Sequence, residues 1–211
     1  MTSAPPHRID EIPLPSPPAR GRLFVTNFSA VGPDPQGALD RVEATSLVCL
    51  LTPHEIRLRY PDYIPWLLTH MPPWLASQVD QNDLVAVLDS HAEEFGRFDL
   101  DEVRFNSDLD ARALWLPTPD GSTIFDGALM GTVAYVNDAL YKGSNVLVHC
   151  GAGMARTAVV GILTMISLGA DPTQAPVDFR AARPGGGPDG PSQQQQIERL
   201  IERARRMIPF D

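Results

Sequence analysis

The residues with the densest chemistry lie between 146 and 157: Val146-Leu147-Val148-His149-Cys150-Gly151-Ala152-Gly153-Met154-Ala155-Arg156-Thr157. A cysteine ends an apolar run, five mostly small residues follow, and an arginine opens a second apolar stretch. Small residues let successive backbone N–H groups turn inward and form an anion-sized cup. A helix N-terminus at that point adds partial positive charge. Arg156 can close the cup with a two-pronged grip on phosphate oxygens. The same field favours the thiolate form of a cysteine at the base of the cup, and a thiolate beneath a bound phosphate is a nucleophile aimed at phosphorus.

Such a cup has to be held by regular elements. Asn145–His149 reads as a buried strand and Arg156–Leu168 as an apolar helix, so the cup is a strand-to-helix loop. Upstream, Leu23 to about Phe28 is β-like, Gly32–Gly37 (GPDPQG) reads as a loop, and Ser46–Leu51 is a short, wholly apolar strand. Thr52, Pro53 and Glu55 have the spacing of a capping box with proline at the first helical position. Further helices are expected near 63–70, 82–96, 126–141, 172–182 and 192–207, with a strand at Ala113–Leu116 and a loop at Arg183–Pro191. Strands alternating with helices predict an α/β fold with a mainly parallel central sheet flanked by helices. Residues 1–20 hold six of the 21 prolines and read as a Pro-rich N-terminal arm, disordered or draped in extended form. The remainder, 21–211, reads as one domain.

The run His149-Cys150-x-x-Gly153-x-x-Arg156-Thr157 resembles the signature of the cysteine-based protein phosphatases, the protein-tyrosine and dual-specificity superfamily. Leu116-Pro117-Thr118-Pro119-Asp120-Gly121 is similar to the general-acid loop of the kinase-associated (cyclin-dependent kinase inhibitor 3-like) branch, and Arg183-Pro184-Gly185 to a motif that follows the penultimate helix there. The resemblance covers roughly residues 22–56 and 112–205. It implies a dual-specificity phosphatase-like fold with a helical insertion, about 60–110, before the acid loop. It also implies roles. Cys150 attacks phosphorus and forms a phosphocysteine. Arg156 and the loop residues Gly151, Ala152, Gly153, Met154 and Ala155 hold the phosphate oxygens. Asp120 protonates the leaving oxygen and then activates water, Thr157 stabilises the departing thiolate, and His149 orients the loop. No metal or other cofactor is implied. Activity that needs an ionised Cys150 and a protonated Asp120 follows a bell-shaped pH profile on the acidic side of neutral.

Other candidates have plainer readings. Asp126 is placed as a helix N-cap, Asp108 and Asp110 precede the strand, and Gln193–Gln196 fit a polar helix surface. Cys49 is a small core residue within its strand. His7, His54, His70 and His91 lack ligand spacing, and Trp66 and Trp74 anchor the insertion to the body. The insertion itself is expected to shape substrate access.

Composition narrows the partners. The chain has 211 residues and a net charge of −9, and a single lysine, Lys142, stands among 17 basic residues. That balance disfavours nucleic acid and anionic membranes. Two cysteines form no disulfide framework, no apolar run is long enough to span a membrane, and the N-terminus lacks a signal-peptide core. A cytoplasmic setting is therefore expected. The expected substrate is a phosphorylated protein or peptide, with phosphotyrosine ahead of phosphoserine and phosphothreonine, and phosphate, sulfate or vanadate as oxyanion ligands of the loop. The cup residues 151–155 carry no cationic side chain, which disfavours polyphosphorylated inositol lipids; phosphosugars and nucleotides remain as non-protein alternatives. Sulfur transfer or arsenate reduction would need no acid loop, and a phosphate-binding pseudophosphatase would usually lack Cys150, Arg156 or Asp120.

Overall fold

A computed structural model describes residues 8–15, 17, 19–71 and 113–207. Its centre is a five-stranded sheet ordered β1-β2-β5-β3-β4. Here β1 is Ile9–Ile12, β2 Leu23–Asn27, β3 Ala44–Cys49, β4 Ala113–Trp115 and β5 Asn145–Cys150. The pairs β2–β5, β5–β3 and β3–β4 are parallel, and β1 alone runs antiparallel, against β2. The expected α/β architecture with a mainly parallel sheet is the one observed.

Parallel strands must be covered on both faces, and the strand sequences show how. Side chains alternate across the sheet. Val146 and Val148 of β5, Val48 of β3 and Leu23 and Val25 of β2 enter one core. Leu147, Leu47, Cys49 and Phe24 enter the other. The first core is closed by α5 (Asp126–Tyr141), α6 (Ala155–Ser167), α7 (Ala175–Ala182) and α8 (Gly190–Arg205). The second is closed by α1 (Phe28–Val31), α2 (Pro35–Asp40), α3 (Pro53–Arg57) and α4 (Tyr63–His70).

Three local expectations change. Ile9–Ile12 of the Pro-rich arm is a paired edge strand, not a disordered or merely draped segment: Ile12 is buried beneath the first core while Glu11 faces out and pairs with Arg22. The GPDPQG segment contains a helix. Asp34 caps it by accepting from Gly37 N at 2.8 Å, and Pro35 takes the first turn, where its missing N–H costs nothing. Asp126 is not an N-cap; it is the first helical residue of α5, after Phe125. The capping box at Thr52 and Glu55 forms as expected. The helix expected at 82–96, with Trp74, His91, Asp108 and Asp110, lies outside the described residues, as does His7.

Candidate active site

The parallel strands β2, β5, β3 and β4 all end at the same edge of the sheet, the usual place for a ligand in such folds. Phe28 follows β2, Cys150 ends β5, Thr52–Glu55 follow β3, and the 116–121 loop follows β4. At this edge lies a cleft of about 240 Å³ lined by Phe28, Glu55, Leu58, Asp120, Gly151 and Arg156, with Cys150 one residue before Gly151 at the end of β5.

The loop from Gly151 to Met154 has its carbonyls tied outward. Gly151 O accepts from Phe28 N at 3.1 Å. Gly153 O and Ala152 O accept from the Arg183 guanidinium at 3.0 and 3.2 Å. Met154 O accepts from Ala158 N inside the helix start. With these carbonyls occupied on the outside, the intervening amides are free for the interior, and Gly153 N donates to Cys150 Sγ at 3.2 Å. Gly153 has φ +68, and a Cβ there would lie 2.3 Å from Thr26 O, so the loop passes against β2 only because this position is glycine. Cys150 is 2% exposed and α6 begins at Ala155, so the thiol sits beside a helix N-terminus.

Arg156 is 1% exposed and its guanidinium is shared among several acceptors. It donates to Glu55 at 2.7 and 3.0 Å, to Thr118 O at 2.6 Å and to Leu50 O at 3.2 Å, and it pairs with Asp120 at 3.0 Å. Its Nε is buried with no hydrogen-bond partner among the described residues. Burial works against the Arg156 charge, but Glu55, the Cys150 sulfur and Asp120 outweigh it and hold its pKa above the ordinary value. Burial likewise opposes ionisation of Glu55, and the bonds from Arg156 and Thr52 overcome that and keep its carboxyl below the usual range.

Asp120 stands on an exposed β-turn closed by Ser122 N donating to Pro119 O at 3.2 Å, with Gly121 supplying the required positive φ of +72. The turn presents an exposed carboxylate beside Arg156 at the cleft. Its return arm is anchored from α8. Gln193 Nε2 donates to Ser122 O at 2.8 Å, and Gln196 accepts from Ile124 N at 3.2 Å while donating to Ile124 O and Asp126. The polar-surface reading of Gln193–Gln196 thus holds for Gln194 and Gln195, which are exposed, and fails for Gln193 and Gln196, each 1% exposed. Asp126 pairs with Arg199 and Gln196 at 2.8–2.9 Å. Arg199 first, with Gln196, holds its carboxyl below the usual range despite partial burial. Gln196→Ala should lower kcat for p-nitrophenyl phosphate three- to tenfold with KM unchanged, the worth of a hydrogen bond or two; Gln194→Ala, on the exposed side, should leave both constants as they are.

Beneath the loop, His149 is fully buried, stacks on Phe28 and shares a 2.6 Å hydrogen bond with the Tyr63 hydroxyl. Trp66 stacks on Tyr63 and on His70, so the described part of the insertion is seated on the strand that carries Cys150. Burial, helped by the Arg156 charge, lowers the His149 pKa to about 3. The unfolded chain takes up this proton below about pH 6.5 and the folded chain does not, so stability is full above that pH and falls below it. Between pH 6.5 and 5 the loss should approach about 1.4 kcal/mol per pH unit. Urea unfolding midpoints across that range should fall in the wild type and stay flatter in His149→Asn.

Thr157 is buried, and its hydroxyl donates to Met154 O at 3.3 Å. Cys49 is fully buried on the opposite face, where burial pushes its thiol up and away from reactivity. Glu55, Tyr63, Asp10 and Gln196 were not singled out as site residues from sequence. For Glu55 the available signal was its place six residues past the end of a buried parallel strand.

No protein-family model matches the chain, and none of the curated proteins matches it. Solved structures do. Kinase-associated phosphatase, in a form whose catalytic cysteine is replaced by serine, superposes with a TM-score of 0.60 at 14% identity, over 95% of this chain and 97% of that one. Human DUSP28 gives 0.57 at 17% identity over 97% and 99%. PTPMT1 in complex with PI(5)P gives 0.56 at 12% identity over 90% and 96%. The chain has the dual-specificity phosphatase fold. The scores are close to one another, so the likeness to this fold extends across several of its branches and does not single out the kinase-associated one. Among the described residues of this dual-specificity phosphatase fold, no cluster of His, Cys, Asp and Glu has the makings of a metal site, and no helix is long and apolar enough to cross a membrane.

Proposed function

We propose that the chain hydrolyses phosphate monoesters on phosphorylated proteins, phosphotyrosine foremost, with phosphoserine and phosphothreonine as further substrates. The observation that carries this reading is the cup itself: a cysteine thiol facing a loop amide, the carbonyls of the next residues tied outward, and a buried Arg156 with an unpartnered donor beside it. Cys150 attacks phosphorus in line with the ester oxygen and forms a phosphocysteine. Arg156 and the amides of Gly151 to Ala155 hold the three equatorial oxygens as charge develops on them. Asp120 donates its proton to the leaving oxygen; water, deprotonated by Asp120, then displaces Cys150 and releases phosphate. Thr157, by turning its hydroxyl from Met154 O to donate to the departing sulfur, stabilises the thiolate. Oxyanions such as phosphate, sulfate and vanadate bind in the same cup. The Pro-x-x-Asp-Gly order around Asp120 supports an affinity with the kinase-associated branch.

A lipid reading draws on the likeness to PTPMT1, whose structure holds PI(5)P. Against it, the residues from Gly151 to Ala155 include no cationic side chain for additional phosphates. Release of phosphate from a phosphopeptide panel, measured beside vesicles containing phosphoinositides, decides between them: turnover of peptides and inert vesicles is expected, and the reverse pattern rejects the protein-phosphatase reading. Binding of phosphate without turnover of any monoester would leave a pseudophosphatase.

A further inference from the structure

We propose that Asp10, on the N-terminal edge strand, is a positioning residue of the phosphate cup that acts through Arg183. Arg183 is 1% exposed and touches the outer wall of the cup: its Nε donates to Gly153 O at 3.0 Å and its Nη2 to Ala152 O at 3.2 Å. Its Nη1 is held by Asp10 Oδ2 at 2.5 Å, and Asp10 is itself 7% exposed. The second carboxylate oxygen accepts from Arg8, and Arg8 O in turn accepts from the Thr26 hydroxyl at 2.7 Å, which fastens this end of β1 to β2.

A guanidinium buried against carbonyls alone carries an unbalanced charge. Asp10 supplies the counter-charge that keeps Arg183 in place, and Arg183 keeps two consecutive carbonyls turned out of the cup. Each carbonyl turned outward fixes the plane of its peptide, and so the direction of the N–H on the next residue. For Ala152 O and Gly153 O, those N–H groups belong to Gly153 and Met154. The amide that faces Cys150 Sγ is therefore set from β1, a strand that contributes nothing to the lining of the cleft. Asp10 faces the guanidinium groups of both Arg8 and Arg183, and it acts on the cup by orientation, through the two carbonyls that Arg183 holds.

This inference rests on the phosphatase reading above for its kinetic arm only. The full chain is compared with Asp10→Asn, with Arg183→Met, with the double variant, and with Glu11→Gln as a control on the exposed side of the same strand. Three quantities are read well below each variant's unfolding transition: the inhibition constant of inorganic phosphate against p-nitrophenyl phosphate, KM and kcat separately, and amide hydrogen exchange over 150–156. Asp10→Asn is expected to weaken phosphate inhibition and raise KM about tenfold, and to speed exchange at 151–155 while β3 stays protected; Glu11→Gln changes none of these. In the Arg183→Met background the Asp10 substitution should add nothing further. Unchanged inhibition and exchange in the face of a lowered melting temperature would make the pair merely structural, and tighter phosphate binding would make it electrostatic; either overturns the proposal. If Asp10→Asn does not fold, the Arg183→Met and double variants, both without the unbalanced charge, decide it: wild-type inhibition and exchange in both overturn it. If the wild type turns over no monoester, the phosphatase reading fails, and exchange over 150–156 with and without inorganic phosphate still tests the brace.

Discussion

Cys150→Ser is expected to abolish turnover of p-nitrophenyl phosphate, by at least about 10⁴-fold, while leaving the cup able to bind phosphate or tungstate. Loss on this scale is what removal of a nucleophile produces when the rest of the site is intact. The side chain is 2% exposed and ends a strand whose neighbours on both sides are parallel. A serine oxygen in place of sulfur leaves the strand, the loop and Arg156 undisturbed. A serine hydroxyl is a far weaker nucleophile than a cysteine sulfur in the same place, so attack fails and binding does not. The check is a pair of measurements on the same sample: phosphate release, and the rise in melting temperature on adding tungstate. Retained hydrolysis would mean that a different group attacks, and loss of both would point to a collapsed cup.

The second large effect is expected at Asp120. Asp120→Asn should lower kcat by 10²- to 10⁴-fold for phosphotyrosine peptides, and by less for p-nitrophenyl phosphate, whose leaving phenolate needs a proton less. The limb of the pH profile that reports the acid should disappear in the variant, and an unchanged profile would reject Asp120. Asp126→Asn is the contrasting variant: that carboxylate is held by Arg199 and Gln196 at 2.8–2.9 Å, and its loss should leave the pH profile unchanged.

Several of these features are visible in the chain itself because they are local. The strand, loop and helix around Cys150 occupy consecutive residues, and the alternation of Val146, Leu147 and Val148 between two cores needs only a buried parallel strand. Thr52 and Glu55 announce their cap by spacing alone. That cap also hid the other bond of Glu55, since a residue with one sufficient explanation leaves no signal for a second. Gln193 and Gln196 were hidden by the polar run around them, although Gln193, Gln196, Ile197, Leu200 and Ala204 recur at helical spacing and form the buried face of α8. Asp10 and Tyr63 owe their place to partners 173 and 86 positions away, and nothing local marks such contacts. The helix at Pro35 was legible, through Asp34 and Pro35 as cap and first turn, but the two glycines of the segment favoured a loop.

The order of the strands has a consequence for how the molecule comes into being. Along the chain β2, β3 and β4 precede β5, yet β5 lies between β2 and β3. During synthesis the earlier strands emerge with a gap at the centre of their future sheet, and they cannot reach their native spacing until the stretch ending in Cys150 slots in. Pairings so distant in sequence are slow to form. The strand that completes the sheet also carries Cys150, and Arg156, Arg183 and α8 follow it in the chain, so no part of the cup is assembled until the C-terminal half of the molecule has been made.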